Sequence, residues 1–496
     1  MESSLTMAWH DRVSFSSGDA GAVVAGPGAR LSMRSVAPEI LAALERLAPP
    51  GEAEETLAES ILTQGSADSL ARWFFHVDQF RRRGLVRRTL LAEGRPLATL
   101  LPLSHIIPSP AIGKPQNSTR ILGATGQRRD LSQSTLADAR YSLSRFVYLR
   151  QDAGEMVVES PLSHSRLVLH DPRAACVIAA MAAPATLTDV CERISTLPPA
   201  ATLKLVGLLD DASMIDTELS ADKAQIQDER LESWEFHDLL FHSRSRRGRS
   251  DAGFGATYRF QHRPAPPALK AIGAGETYDL YRPDLAQLER DDPPFAAVQN
   301  RRRSLRQYGA TPITAEQLGE FLYRVGRVTG TWTAEIPDAA PPTTMEFAGR
   351  PFPAGGALYE LETYPIVRSC RDLPGGMYAY APAEHRLHRI AGPIAAVESL
   401  LDEAASSAGV DPRAVQVLIC LASRFERIAW KYESIAYALT LKHVGVVYQT
   451  MYLAATAMGL APCAVGCGDA DLFVRAAGTE YHVESSVGEF LLGSRE

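Results

Sequence analysis

The sequence predicts an α+β chain: two small helix-and-strand modules followed by one larger α+β domain. Three features predict it. Helical periodicity gives way to strand alternation twice within the first 216 residues, a charged, Pro- and Gly-rich stretch runs from about 217 to 295, and helix and strand signals alternate from about 296 onward. The length of 496 residues suits roughly three or four domains.

Taken in order, SVAPEILAALERLA has apolar residues at helical spacing with Pro38 near its first turn, and SADSLARWFFHVDQFRRRGLV repeats the pattern up to Gly84. LVRRTLLAEGRPLATLLPL then reads as two strands around Glu93-Gly94-Arg95. Helices followed by a two-stranded wing make residues 1–105 a winged-helix-like module. A second such passage, 140–216, has strand alternation around Asp152-Ala153-Gly154 and then the helical DPRAACVIAAMAA and TLTDVCERIS. The two passages are expected to be a diverged repeat. Residues 217–295, with HSRSRRGRSDAGFGATYRF and HRPAPPALK, lack a periodic core and are expected to be a linker wrapping a neighbouring domain. From 296 to 496 one α+β domain closes the chain; in ITAEQLGEFLYRVG, Thr314 and Gln317 have the spacing of a helix N-cap and its reciprocal partner. GDAGAVVAGPGAR at 18–30 lacks the strand and acidic residue of a dinucleotide loop and reads as a turn or flexible arm.

Composition narrows the function classes. With 46 % hydrophobic residues, 22 % charged residues and a formal net charge of −7, the chain is an ordinary globular protein without general attraction for nucleic acid. The basic runs RRRG and RSRRGR are local in an acidic protein, so no nucleic acid is expected; they read as an exposed wing edge that adds an acidic peptide as an extra strand, or as solvated surface. Six cysteines without a CxxC pair or clustered histidines argue for reduced thiols and no metal site. No secretory signal opens the chain, so cytoplasm is the expected location. The apolar run Val444 to Leu460 holds Gln449, Thr450 and Thr456 and reads as a buried core helix rather than a membrane span.

Three stretches of the last domain carry candidate chemistry. Arg301-Arg302-Arg303-Ser304-Leu305-Arg306 concentrates guanidiniums and a hydroxyl, a donor set suited to phosphate. In RPFPAGGALYELETYPI, Pro353 restricts the chain while Ala354-Gly355-Gly356 lets backbone approach a flat ligand. Lys431-Tyr432 is either a solvated helix start or a proton-transfer pair.

In this order, RRSLRQY, FPAGGALYELETY, GGMYAYAPAEHRLHRI, KYESIAY and YLAATAMGLAPCAVG resemble the nitroreductase-fold flavoenzymes, and more narrowly the SagB-type azoline dehydrogenases of ribosomal peptide biosynthesis, which form thiazoles and oxazoles. The two N-terminal modules are similar to the extension of the longer members, where such modules are associated with peptide recognition. The resemblance implies a mixed or antiparallel sheet flanked by helices, FMN as cofactor, and a homodimer with the flavin in the subunit interface. It also implies a precursor peptide as partner, a cyclodehydratase as a further candidate partner, and oxidation of azoline rings to azoles with oxygen reoxidising the flavin. By position it assigns Arg302, Arg303, Ser304 and Arg306 to the FMN phosphate and ribityl chain, and Pro353, Ala354, Gly355 and Gly356 to the isoalloxazine. Ala464, Val465 and Gly466 fall in the loop closing over the flavin, and Arg495 sits near the phosphate. Ala354 replaces a common serine, and Tyr437-Ala438 stands where many members have Tyr-Arg.

Lys431 and Tyr432 match the family's Lys-Tyr motif. Aromatising an azoline requires loss of a ring-carbon proton and transfer of hydride to flavin N5, so a desolvated Lys431 would take the proton and Tyr432 would relay it or hold the base. Tyr437 and His443 are next in line as bases. Two other readings stand beside this one: a nitroreductase-like small-molecule oxidoreductase using NAD(P)H, and a non-catalytic peptide-binding subunit.

Overall fold

The computed structural model describes residues 3–18, 21–26, 29–103, 139–218, 229–273, 275–336 and 342–496. Residues 104–105 of the first expected module and 219–228 of the expected linker lie outside them. The chain divides into two units, Met1–Asp251 and Ala252–Glu496.

In the first unit, strands from both expected modules share one seven-stranded sheet. Its order is Glu52–Ala53, Ser4–Trp9, Val86–Ala92, Arg95–Pro102, Ser165–Leu169, Glu155–Glu159, Tyr148–Asp152. The two wing turns are true two-residue hairpins. Glu93 and Gly94 have φ of 54° and 75°, and Ala153 and Gly154 have 49° and 91°, the left-handed pair that matches strand twist. Helices Pro38–Glu45, Glu54–Gln64 and Ala67–Arg82 bury Leu44, Ile61, Trp73 and Phe80 against Met7 and Trp9.

Two expectations for this unit change. The stretch read as a turn or arm forms strands Ser14–Gly18, Gly21–Gly26 and Ala29–Arg34, a three-stranded sheet of its own. Ala22 and Val24 alternate inward and are buried, a period-2 signal hidden among small residues. The first wing offers no open edge at its basic strand, because Val86–Ala92 is paired on both sides. Arg88 is buried and its guanidinium sits 2.7 Å from Asp211, while Arg87 pairs with Asp11 at 3.0 Å.

The second unit is built on an antiparallel sheet, in the order Thr277–Asp279, Arg386–Ala391, Gly376–Ala381, Leu361–Val367, Val417–Arg424, Glu484–Gly493, Ala461–Val465. VLICLASR is apolar on both faces because both faces are covered. Val417, Ile419 and Leu421 meet helices Ala315–Gly326 and Ala436–Ala457, whereas Leu418, Cys420 and Ala422 meet helices Ala395–Ala408 and Ala470–Ala477. Thr314 and Gln317 form the reciprocal cap that their spacing predicts. Most of the long apolar run lies in helix Ala436–Ala457, which buries Val444, Val447, Met451 and Ala455. Among the described residues, no helix is long and apolar enough to cross a membrane.

Candidate functional site

Lys431 and Tyr432 lie between helix Phe425–Ala429 and the long helix, which begins only at Ala436. They are therefore not the first turn of that helix. Tyr432–Glu433 is a short strand paired with Gly255–Ala256, and Tyr258 N–H donates to the Lys431 carbonyl at 3.1 Å. Lys431 Nζ stands 5.5 Å from the Tyr432 ring centroid, 5.7 Å from that of Tyr258 and 5.9 Å from that of Phe347. This aromatic setting strips water from the ammonium, and the Arg427 guanidinium adds like-charge repulsion, so the Lys431 pKa falls below the ordinary lysine value. Burial pushes the Tyr432 phenol upward.

The small-residue loop meets this pair directly. Gly356 has φ of +61°, and a Cβ built on it would lie 2.6 Å from Lys431 Nζ and 2.8 Å from Tyr432 Oη. Backbone conformation favours glycine there, and a side chain would have to push the Lys431 and Tyr432 tips aside. Next to it, Gly355 N–H donates to His443 Nε2 at 2.7 Å, so Nε2 is the unprotonated nitrogen and Nδ1–H donates to Glu360 at 2.7 Å. Both nitrogens of the buried His443 are thus engaged in holding the loop. This removes His443 as a freely available base. Tyr437 is 48 % exposed and lies 6.1 Å, ring to ring, from Phe425. Pro353 is exposed, and Ala354 packs on the core beside the loop.

A second group gathers around Tyr452. Ser304 Oγ and Tyr452 Oη are 2.6 Å apart, Ala464 N–H donates to the same Tyr452 oxygen at 2.8 Å, and the Arg302 guanidinium lies 5.2 Å from the Tyr452 ring centroid. Leu305 N–H donates to the Pro462 carbonyl at 2.8 Å, fixing the arginine segment against the 462–466 loop. Tyr448 Oη reaches the Val465 carbonyl at 3.5 Å, and Gly466 is exposed. Gly309 N–H donates to the Ser494 carbonyl, which brings Arg495 alongside the same segment. Arg303, Arg306 and Arg495 are exposed and Arg302 is half-buried. Among the described residues, no carboxylate lies within ion-pair distance of these four. Cys463 is buried, and burial raises its thiol pKa, so it is a packing residue.

The structure therefore brings the sequence-derived residues into two groups rather than one. His443 anchors the first group and Tyr452 the second, and nine residues of α-helix are 2.5 turns, so the two anchors project from opposite sides of the long helix. Tyr452, His443 with Glu360, and the aromatic wall at Tyr258 were not singled out as holders by sequence reasoning. Tyr452 lies inside the quoted motif YLAATAMGLAPCAVG, but the motif does not say what its hydroxyl touches.

The nitroreductase family matches residues 300–491. The second unit is a nitroreductase-family domain. The cyanobactin oxidase ThcOx family matches residues 141–251, and the ThcOx helix turn helix domain matches residues 1–107. The chain is thus an oxidoreductase, and these matches agree with the SagB-type resemblance and, coarsely, with a flavin-fold oxidase of ribosomally made peptides. A protein of Methanocaldococcus jannaschii provisionally named a nitroreductase is 28 % identical over 192 residues, covering 39 % of this chain and 85 % of that protein. Among solved structures, a nitroreductase-like protein of Ralstonia eutropha is 16 % identical with a TM-score of 0.33, covering 47 % of this chain and 94 % of that one. The Escherichia coli microcin synthetase McbBCD complex with truncated pro-MccB17 bound is 19 % identical with a TM-score of 0.32, covering 44 % of this chain and 84 % of the other.

Proposed function

We propose that the protein is an FMN-dependent dehydrogenase that oxidises azoline rings of a ribosomally made precursor peptide to azoles. The observation that carries this reading is the juxtaposition of Gly356 with Lys431 and Tyr432. A loop bare enough to lie against a flat ring system is in contact with a lysine whose pKa is lowered by burial and by the Arg427 charge. That combination suits removal of a proton beside an electron-pair acceptor and has no evident use in a mere peptide-binding subunit.

The residues present fit FMN. Four arginines without carboxylate partners among the described residues, with Ser304 beside Arg302, offer a donor set for phosphate. Gly355 and Gly356 carry no side chain, so their backbone can approach a flat ring closely. When bound, FMN supplies the acceptor for the hydride. Lys431 Nζ takes the proton from the ring carbon, and Tyr432, beside it, holds or relays that proton. Arg302, Ser304 and Arg306 hold the phosphate end, while Ala464, Val465 and Gly466 present backbone from the neighbouring loop. Because the two groups project from opposite sides of one helix, they serve one flavin most simply when two chains pair, one supplying the Tyr452 group and the other the Gly356 group.

The N-terminal unit is read as recruiting the precursor peptide, with a cyclodehydratase as a further partner. The deciding experiment is anaerobic: the purified protein should be yellow, release FMN on denaturation, and have its flavin reduced by an azoline-bearing peptide but not efficiently by NADH or NADPH. Efficient reduction by the nicotinamides alone would turn the assignment to a small-molecule nitroreductase.

A further inference from the structure

Residues 252–299 lie outside all three matched families, yet the start of this stretch is tied into the Lys431 site. Its backbone carbonyls are held by helix Phe425–Ala429 and its flanks. Arg424 donates to Pro267 O at 2.9 Å and Ala268 O at 3.2 Å, Arg427 donates to Pro266 O, and Trp430 Nε1–H donates to Arg263 O at 3.1 Å. Arg427 is fully buried and also donates to Leu358 O at 2.9 Å and Glu346 O at 2.8 Å. One guanidinium therefore joins three segments: the wrapping stretch, the Thr344–Gly349 strand that carries Phe347, and the chain just after Gly356. A planar fork of five donors suits such a junction, and Lys could not reproduce it. The same stretch pairs Gly255–Ala256 with Tyr432–Glu433 and lays the Tyr258 ring over Lys431 and 6.0 Å from Trp430.

We propose that residues 252–270 are a working wall of the active site, with Tyr258 excluding water from Lys431 and Arg427 acting as the positioning residue that locks this wall to the Gly356 loop. The proposal rests on the reading of Lys431 as the base. The charged and titratable groups around Lys431 are few. Arg427 comes from the short helix, Tyr258 from the wall and Tyr432 from the adjoining strand, while the Glu346 carboxylate, on the Phe347 strand, accepts from Ala268 N–H at 3.5 Å. Glu433 is turned to Thr257, at 2.9 Å, and Arg259, at 4.0 Å. Removing the Tyr258 ring admits water to the ammonium while leaving this charge set in place, so Lys431 then holds its proton more tightly.

The test labels lysines in the FMN-loaded enzyme with trace acetic anhydride across pH and reads Lys431 against the exposed Lys442 by peptide mass spectrometry. In the parent and in Tyr258→Phe, Lys431 should become reactive at lower pH than Lys442. In Tyr258→Ala its curve should move toward that of Lys442, with FMN retained. A Tyr258→Ala curve that coincides with the parent's would overturn the wall, whatever Lys431 does in turnover. Failure of the base reading registers separately, as parental flavin reduction in Lys431→Met.

Discussion

Gly356 and Lys431 share one small space: a methyl group on the glycine would stand 2.6 Å from the lysine nitrogen. Gly356→Ala must therefore displace the base and also adopt φ of +61°, a backbone strain of order 1 kcal/mol. The phosphate end of the site is untouched, so FMN should stay bound. Anaerobic flavin reduction by an azoline peptide should nevertheless slow by about 100-fold, the scale of a 1 Å misplacement at a reacting centre. A parental rate would separate the loop from the chemistry.

Flavin retention should depend on the other group. Arg302→Ala or Arg306→Ala removes a charge-assisted phosphate contact worth about 1.5–3 kcal/mol and should release FMN from an otherwise folded protein. Tyr452→Phe deletes the hydroxyl that joins Ser304 to Ala464 and should weaken FMN by a further measurable amount, about 0.5–1.5 kcal/mol. Flavin absorbance after dialysis, with circular dichroism as the check on folding, reads all three. Full flavin content in both arginine variants would move the phosphate elsewhere.

The two-sided arrangement on helix Ala436–Ala457 predicts complementation between inactive chains. Arg302→Ala and Lys431→Met are each expected to be nearly inactive alone. After subunit exchange, mixed dimers hold one site with both residues intact, so about one quarter of parental activity should return, from half the dimers having one of two sites restored. No recovery, with exchange verified by mass spectrometry, would mean that each flavin is served by a single chain.

The pH dependence follows from the sign of the Lys431 shift. Burial and the Arg427 charge both oppose the protonated form, so the neutral base becomes available at lower pH than for an exposed lysine. The rate of flavin reduction should rise with pH through that lowered pKa and then level off. In Lys431→Met this rise should vanish from the residual rate. A stopped-flow series across pH checks both curves.

Much of this was legible in the sequence, for physical reasons specific to each element. Thr314 with Gln317, and the turns at Glu93-Gly94 and Ala153-Gly154, were readable because capping and left-handed turns are local demands met by local residues. The 14–34 strands were missed because Ala22 and Val24 are too few and too small to stand out among glycines. The occupied edge of Val86–Ala92 depends on pairing with Ser4–Trp9, which local reading does not supply. At the site, glycine and Lys-Tyr could be named by motif, but their contact could not, since about 75 residues separate Gly356 from Lys431 along the chain. Arg427 was passed over for a related reason. Its three acceptors are backbone carbonyls, and backbone carbonyls leave no trace in residue identity.

The most direct measurement is a single anaerobic turnover of the FMN-loaded Lys431→Met enzyme with an azoline-bearing peptide, followed by flavin absorbance beside the parent. The substitution removes the proton acceptor and keeps most of the side-chain volume, so flavin content should match the parent while flavin reduction slows by about 100- to 10,000-fold. Reoxidation of chemically reduced flavin by oxygen should stay near the parental rate. Flavin reduction at the parental rate in this variant would contradict the assignment of Lys431 as the base.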